Sequence, residues 1–500
     1  MRAKNKVMRQ VLAVLLLLCL SAALLPGCGQ VKDPGENTKP SSNMTTKSTE
    51  QDKITLRVAV EASIAGTLDD GLHSFLRRLQ SNFTLTHGDV EIVFEQIPKE
   101  DGREEVLQRL RAELMVGEGP DILLLPTLPT DNRDFLGFPE PLIPDVQQAM
   151  RNGLFLDIST YYDADADLDK AALHQDIMDA GLLDGARYVL PLCYDLPVIY
   201  VSKAAFAESG VSKDIFSYGA ADFLNAVAQF EDLADVGSFR HNYGIGAPLS
   251  FNFFPELIDY DTGEVSVTPE ELASYLQAWQ AYRVQFGKAI DAGYSTSGVT
   301  DVQFCYGKGM GEFPDIYWGI DGCFASCESL LEAADNVLLA RSHGVELDMY
   351  PLRSMDGSVV ADVTFYGAVS SGCKHPELAY EFLRHFLSVD FQHDPAKLDF
   401  YGWPVRTAES VAPRVEYVGI PLVLTTEGMR IINTENVTDA EMPILNISID
   451  HVRFSIHSEI AFGEAVSALY SYIDQMAIPT DFEEEAEYWI KMLQNHADEG

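Results

Sequence analysis

The sequence predicts an α/β protein built of two lobes, and two observations predict it. Residues 54–126 alternate strand, helix, strand, helix, strand, an order that implies parallel strands with right-handed crossovers. Extended segments then return late, near Val359–Val369 and Pro443–Ser448, with helical segments in between. One sheet holding all of them would be very large, so two α/β lobes with the chain crossing between them is the economical solution.

Taken in order, Ile54-Thr55-Leu56-Arg57-Val58-Ala59-Val60 alternates as a half-buried strand does. His73–Leu85 reads as a helix and Val90–Ile97 as a second strand. Glu104–Val116 is a clearer helix: Val106, Leu107, Leu110 and Leu114 recur at three- and four-residue steps, and Gly117-Glu118-Gly119-Pro120 stops it. Asp121–Pro126 is a short continuous apolar run, the pattern of a strand covered on both faces. Tyr188–Val201 is extended and apolar, interrupted by Pro191 and Pro197. Ala220–Ala234, Pro269–Phe286, Pro376–Ser388 and Phe482–Asn495 read as helices. The third carries Pro376 at its first turn and an apolar face of Leu378, Phe382, Leu383 and Phe386. No fixed period repeats along the chain, which excludes a solenoid.

Composition narrows the function. Of 500 residues, 47% are hydrophobic, and 76 Asp+Glu outweigh 35 Lys+Arg for a net charge of −41. Such a surface repels phosphate, which excludes a general nucleic-acid binder, and it opposes docking on an anionic membrane by charge alone. High net charge favours a soluble, weakly self-associating chain, hence a monomer. The seven cysteines are too sparse for a disulfide scaffold.

The first segment reads as an address. Arg2, Lys4, Lys6 and Arg9 precede an apolar run of 15 residues, Val11–Leu25. That is shorter than the roughly 20 residues a bilayer crossing needs and has the proportions of a secretory signal. Leu25-Pro26-Gly27-Cys28 resembles the bacterial lipoprotein lipobox, with Pro26 where that motif has a small residue. The resemblance implies a thioether-linked lipid on Cys28 and removal of residues 1–27; the alternative is an ordinary cleaved signal with an incidental cysteine. Losing the four basic residues takes the charge from −41 to −45. Residues 28–53 continue as a polar tether without aromatics, which reads as disordered. Its r.m.s. reach is about 25–30 Å, so the protein is expected on the extracellular face of the cell membrane, lipid-anchored and free to swivel.

Five later segments, in order, resemble the extracellular solute-binding proteins of ABC importers, in the family that includes maltose-binding protein. They are Gly117-Glu118-Gly119-Pro120-Asp121-Ile122; Arg187-Tyr188-Val189-Leu190-Pro191 with Val198-Ile199-Tyr200-Val201-Ser202-Lys203; Met349-Tyr350-Pro351-Leu352 with Tyr366-Gly367-Ala368-Val369-Ser370-Ser371; His375-Pro376-Glu377-Leu378-Ala379-Tyr380-Glu381-Phe382-Leu383; and Gly402-Trp403-Pro404-Val405-Arg406. Val201-Ser202 and Leu352-Arg353 depart from the family pattern. The resemblance covers about residues 54–495. It implies a periplasmic-binding-protein-like fold of class II type, two α/β lobes joined by crossing strands with a ligand cleft between them. The expected boundaries are 54–195 plus 320–355 for the N-terminal lobe and 196–319 plus 356–500 for the C-terminal lobe. It implies a small-molecule solute, a sugar or oligosaccharide, delivered to ABC permease subunits, with no cofactor, no catalytic residues and no metal.

Sugars present apolar faces to aromatic rings and hydroxyls to Asp, Glu, Asn and Arg. Candidate ligand contacts follow from that chemistry and from the family's geography. Glu61 and Ser63 follow the first strand, where open α/β sheets take ligands. Tyr194 and Asp195 sit on the first crossing, Phe251 and Phe253 in the second lobe, Asp315 and Trp318 near the second crossing, and Tyr401 and Trp403 in the Gly402 loop. Each aromatic has a core alternative, and for Trp279, on the apolar side of a helix, core is the reading. Arg406 stands equally as a partner of buried carboxylates or as a ligand contact. With no local basic cluster and so acidic a chain, a neutral ligand comes first and a cationic one second.

The remaining signals are weaker. Asp163-Ala164-Asp165-Ala166-Asp167-Leu168-Asp169 starts like a calcium loop but has Leu168 where such a loop needs Gly and His174 where it needs Glu, so it reads as a solvated acidic turn. Cys323 and Cys327 share a face if helical, as free thiols or a local disulfide. No His-Glu-x-x-His, nucleophile elbow or complete P-loop is present. The function expected is therefore a binding module. Its alternatives are a ligand-binding partner of a membrane sensor and a surface glycoside hydrolase with two carboxylates about 5–10 Å apart.

Overall fold

Strand β1 (Ile54–Glu61) alternates in burial only over its first half; from Val58 to Glu61 every residue is buried, so both faces of its carboxyl half are covered. Helix α1 (Gly71–Thr86) returns the chain to β2 (Val90–Ile97), and α2 (Arg103–Met115) returns it to β3 (Ile122–Pro126). The three strands are parallel, with Ile54 opposite Val90 and Val58 opposite Ile122. In α2 the buried residues are Arg103, Leu107, Leu110 and Leu114, and Glu104 and Glu105 stand in the first turn, where the helix dipole favours them. All five residues of β3 are buried, the continuous apolar run of a strand covered on both faces.

The computed structural model describes residues 53–61, 71–99, 101–127, 141–231, 233, 258–259, 264–292, 324–327, 346–392, 402–407, 422–425, 428–431, 448–454 and 481–499. The chain divides into two units, Met1–Gln51 and Asp52–Gly500, and all of these residues lie in the second. Cys28 and the expected signal and tether lie outside the described residues, apart from Lys53.

The extended stretch of residues 188–201 resolves into two strands. β4 (Val189–Asp195) joins the first sheet, and after Leu196-Pro197 the chain enters β5 (Val198–Ser202) of a second sheet. Helices α3 (Ala220–Ala228) and α4 (Pro269–Asp291) follow; the first is shorter than expected and the second longer. Antiparallel β6 (Phe324–Cys327) and β7 (Leu347–Pro351) flank β5. Cys327 is thus a strand residue, paired with Val198, rather than a helical one; Cys323 lies outside the described residues.

After β7 the chain crosses back. β8 (Val360–Val369) inserts between β3 and β4, antiparallel to both. Then α5 (Pro376–Arg384) packs Phe382 and Leu383 onto the sheet. Gly367 permits that approach, because a Cβ there would lie 2.7 Å from Leu383 Cδ2. Short β9 (Trp403–Pro404) pairs with β4, and β10 (His451–Arg453) runs parallel beside the start of β8. The expected strand at residues 443–448 is outside the described residues except for Ser448. Helix α6 (Phe482–Glu499) ends the described chain.

The described first sheet therefore has seven strands, in the order β9-β4-β8-β3-β1-β2 with β10 beside β8, and the second has three, β6-β5-β7. Each has its own core. The first gathers β1–β4, β8, α1, α2 and α5, with edge-to-face contacts such as Phe83–Phe382 at 5.6 Å and Phe75–Phe386 at 5.7 Å. The second gathers β5, α3, α4 and α6 around Leu224, Leu276, Trp279 and Trp489. This is the two-lobe α/β architecture the sequence predicts. The assignment of segments needs one correction. Residues 324–327 and 347–351, expected in the N-terminal lobe, pair with β5 in the second sheet, and 360–369, 376–384, 402–407 and 448–454, expected in the C-terminal lobe, belong to the first. The returning strand β8 takes an interior place between β3 and β4, nine of its ten residues buried, and the segments after it follow it into the first region.

Candidate functional site

The strand directions place the carboxyl ends of β1, β3 and β4 together, at the end where the chain leaves for the second sheet. Two of the passages between the sheets lie in described residues, side by side: 195–198 outward and 351–360 back. They are tied by the Leu352 amide donating to the Pro197 carbonyl at 2.9 Å and by Pro351 standing opposite Val198. On the return segment the Asp356 carboxylate accepts from the Ser358 amide at 2.9 Å, and Arg353 donates to the Phe216 and Gly357 carbonyls, so the turn is fixed to the second region. Burial raises the Asp356 carboxyl, but bonds from Ser354 and Ser358 outweigh it and hold it below its ordinary range.

Charged side chains line this end of the first sheet. Glu61, last in β1, is 3% exposed and accepts from Arg103 at both oxygens, from Nη1 at 2.7 Å and Nη2 at 2.9 Å. Thr127, just past β3, donates its amide to the Thr364 carbonyl at 2.9 Å and its hydroxyl to the Val363 carbonyl at 2.8 Å. Next along β8, Asp362 accepts from Arg453 Nε at 2.6 Å and stands opposite Asp195. The half-buried Asp195 accepts from the Leu196 amide at 2.9 Å. Gly402, at φ 128°, closes the corner: a Cβ there would lie 2.6 Å from both Thr364 Oγ1 and the Tyr194 carbonyl.

Of the residues expected to touch ligand, the structure brings Tyr194, Asp195 and Trp403 together, Trp403 standing opposite Tyr194, and puts Glu61 at the same end of the sheet. Ser63, Phe251, Phe253, Asp315, Trp318 and Tyr401 lie outside the described residues. Tyr194 and Trp403 are 3% and 1% exposed within the first core, the core alternative for both rings, because β4 is flanked by β8 and β9 with its side chains covered. Burial and the neighbouring Asp195 charge push the Tyr194 hydroxyl up, and the His174 ring meets Tyr194 edge-on at 5.6 Å. Burial pushes the His174 imidazole down. Glu61 has both oxygens committed to Arg103, so it holds a neighbour rather than offering an open carboxylate. Arg406 is buried and donates to the Leu387 carbonyl at 3.0 Å, and Trp279 lies in the second core.

Sequence reasoning missed Arg103, Thr127, Asp362 and Arg453. Two carried a signal: Asp362 interrupts an apolar strand, and Arg453 stands between Val452 and Phe454. A charge inside an apolar run is the mark of a buried, paired group. The acidic turn is tied down as well. Asp165 accepts from Tyr380 Oη at 2.9 Å and Arg384 Nη1 at 3.0 Å. Burial raises its carboxyl, but these two partners outweigh that and hold it below the usual range. Among the described residues no cluster of metal-ligating side chains occurs, and no helix is long and apolar enough to cross a membrane.

No family model and no curated protein sequence matches the chain. Solved structures do. The sugar-binding protein MalE of Xanthomonas citri matches at a TM-score of 0.55 and 12% identity, covering 89% of this chain and 98% of its own. An extracellular solute-binding protein of family 1 from Alicyclobacillus acidocaldarius matches at 0.51 and 15%, covering 89% and 98%. The galacto-N-biose-/lacto-N-biose I-binding protein of a Bifidobacterium longum ABC transporter matches at 0.50 and 15%, covering 90% and 97%. Two designed esterases match at similar scores, but most of the matched structures are binding proteins. At these identities the likeness establishes the fold: this chain has the two-lobe architecture of the periplasmic binding proteins and resembles the MalE-like solute-binding proteins.

Proposed function

We propose that the protein is an extracellular solute receptor that closes its two lobes on a neutral sugar or oligosaccharide and hands it to ABC permease subunits. One observation carries the reading: the carboxyl ends of β1, β3 and β4, with their charged side chains, converge where two described segments pass between two separately cored sheets. Open α/β sheets take ligands at that end, and paired crossing segments suit a hinge. Arg103 and Arg453 are each paired with a carboxylate, Glu61 and Asp362, and Arg353 donates to the Phe216 and Gly357 carbonyls, which fits a neutral ligand better than an anion. The likeness to sugar-binding proteins supports the same ligand class.

In this reading Asp195 contributes a hydroxyl acceptor from the first crossing, and Ser63, Phe251, Phe253, Asp315, Trp318 and Tyr401 supply the remaining polar contacts and stacking faces. Cys28 carries the lipid, residues 28–53 tether the receptor, and the chain works as a monomer at the outer face of the membrane. The same fold would serve a membrane sensor equally well, and permease genes beside this one would separate the two.

A thermal-shift screen of the full-length protein tests the reading, against neutral mono- and oligosaccharides, amino acids, peptides and polyamines. A ligand at 100 times its Kd adds about 2.7 kcal/mol of stability. A sugar that raises the midpoint, and fails to when Trp318 and Asp195 are both replaced by Ala, supports it. A shift from polyamines or peptides alone moves the ligand class, and no shift from any compound contradicts the receptor reading.

A further inference from the structure

We infer that Arg103 is a positioning residue for the solute site, fixing one corner of its edge with Glu61 as a built-in counter-charge; the inference rests on the solute-receptor reading. Three chain ends meet on this one guanidinium. Nη1 and Nη2 grip both oxygens of Glu61, the last residue of β1, at 2.7 and 2.9 Å. Nη1 also donates to the carbonyl of Pro98, one residue past β2, at 2.9 Å. Arg103 itself opens α2.

Both side chains are less than a tenth exposed. An ion pair removed so far from water does no more for stability than well-packed apolar side chains of the same volume. What it adds is direction, because a guanidinium fork against a carboxylate allows a single relative orientation of the two strands and the helix. The corner lies at the carboxyl end of β1, and it presents its charges already neutralised. A neutral polyol closing against it meets a rim of set shape and no net charge from this pair. Lys in place of Arg103 would keep the charge and lose the fork.

The test uses full-length protein in mild detergent, with maltotriose, lacto-N-biose and glucose as probes, and reads affinity by titration calorimetry beside the melting midpoint. Two variants are compared with the wild type: Arg103→Lys, and the apolar pair Glu61→Leu with Arg103→Met. The expected result is an affinity for the bound probe lowered about tenfold or more in both, with the midpoint of the apolar pair within about 4 °C of wild type. Restoring Arg103 and Glu61 together restores affinity. Wild-type affinity in either variant overturns the inference, and so does failure of the apolar pair to fold, which would assign the two residues to stability. If the wild type binds none of the three sugars, the neutral-sugar reading fails first and the inference with it.

Discussion

The two cored regions solve the same packing problem differently. The first sheet is assembled from chain segments drawn from residues 54 to 454, and its interior strand β8 arrives only after the second region's described strands have all been made. The second is a small antiparallel sheet covered by helices α3, α4 and α6. Buried ion pairs at the passage belong to the first region: Glu61–Arg103 and Asp362–Arg453. The described second core is apolar and aromatic, with Trp279 between Tyr275 and Tyr282. The contrast is between a first region with paired charges at its edge and a second whose described core is apolar and aromatic, and it can be broken or sharpened by substitution.

The largest effects should come from the cores. Phe365→Ala, at 1% exposure in β8, and Trp279→Ala, at 3% in α4, should each cost about 3–5 kcal/mol. In calorimetry the first should lower the unfolding of the first region and the second that of the other. Equal displacement of a single transition by both would mean that the crossings weld the regions into one cooperative unit.

Arg453→Met should cost about 3 kcal/mol, because it strands Asp362 in a site where both side chains are 11% exposed. Denaturant titration should then find the double variant Asp362→Leu with Arg453→Met much closer to wild type. A double variant as unstable as the single would show that the edge needs this pair for its folding.

Gln392→Ala ranks next, at about 2 kcal/mol. The buried amide donates to the Leu192 and Phe386 carbonyls at 2.9 and 2.8 Å and accepts from the Val405 amide at 2.8 Å, stitching the segment that carries Trp403 to β4. Loss of hydrogen-exchange protection at Val405 should accompany the fall in stability.

The smallest effect is of pH. Burial depresses His174 and His385 below the ordinary value of 6.5. The unfolded chain then binds protons first, so stability is full above that value and falls as pH drops through it. The melting midpoint should decline as pH falls below about 6.5, and His174→Gln should flatten part of the slope.

The sequence made the opening of the first sheet legible because parallel strands and amphipathic helices carry their own periods: Leu107, Leu110 and Leu114 announce a helix and the run to Pro126 a covered strand. The passage near Pro197 was legible through the family resemblance of residues 187–203 and not through proline alone, since Pro191 interrupts the same run and lies inside β4. The place of β8 between β3 and β4 was not legible. Hydrophobic pattern says that a strand is buried, not beside which strand, and so the returning segments were expected in the opposite lobes. At the site, Tyr194 and Trp403 look the same as sequence whether they stack on a sugar or fill a core. The pairing of Arg103 with Glu61 spans 42 residues, and in sequence Arg103 reads as one more charge in a helix's first turn.

Closure of the two regions on a sugar is the central claim, and small-angle X-ray scattering tests it most directly. With the sugar that raises the melting midpoint present at saturation, the account predicts a smaller radius of gyration than in its absence, and no such change when Asp195 and Trp318 are both replaced by Ala. A sugar that binds tightly and leaves the scattering unchanged would contradict it.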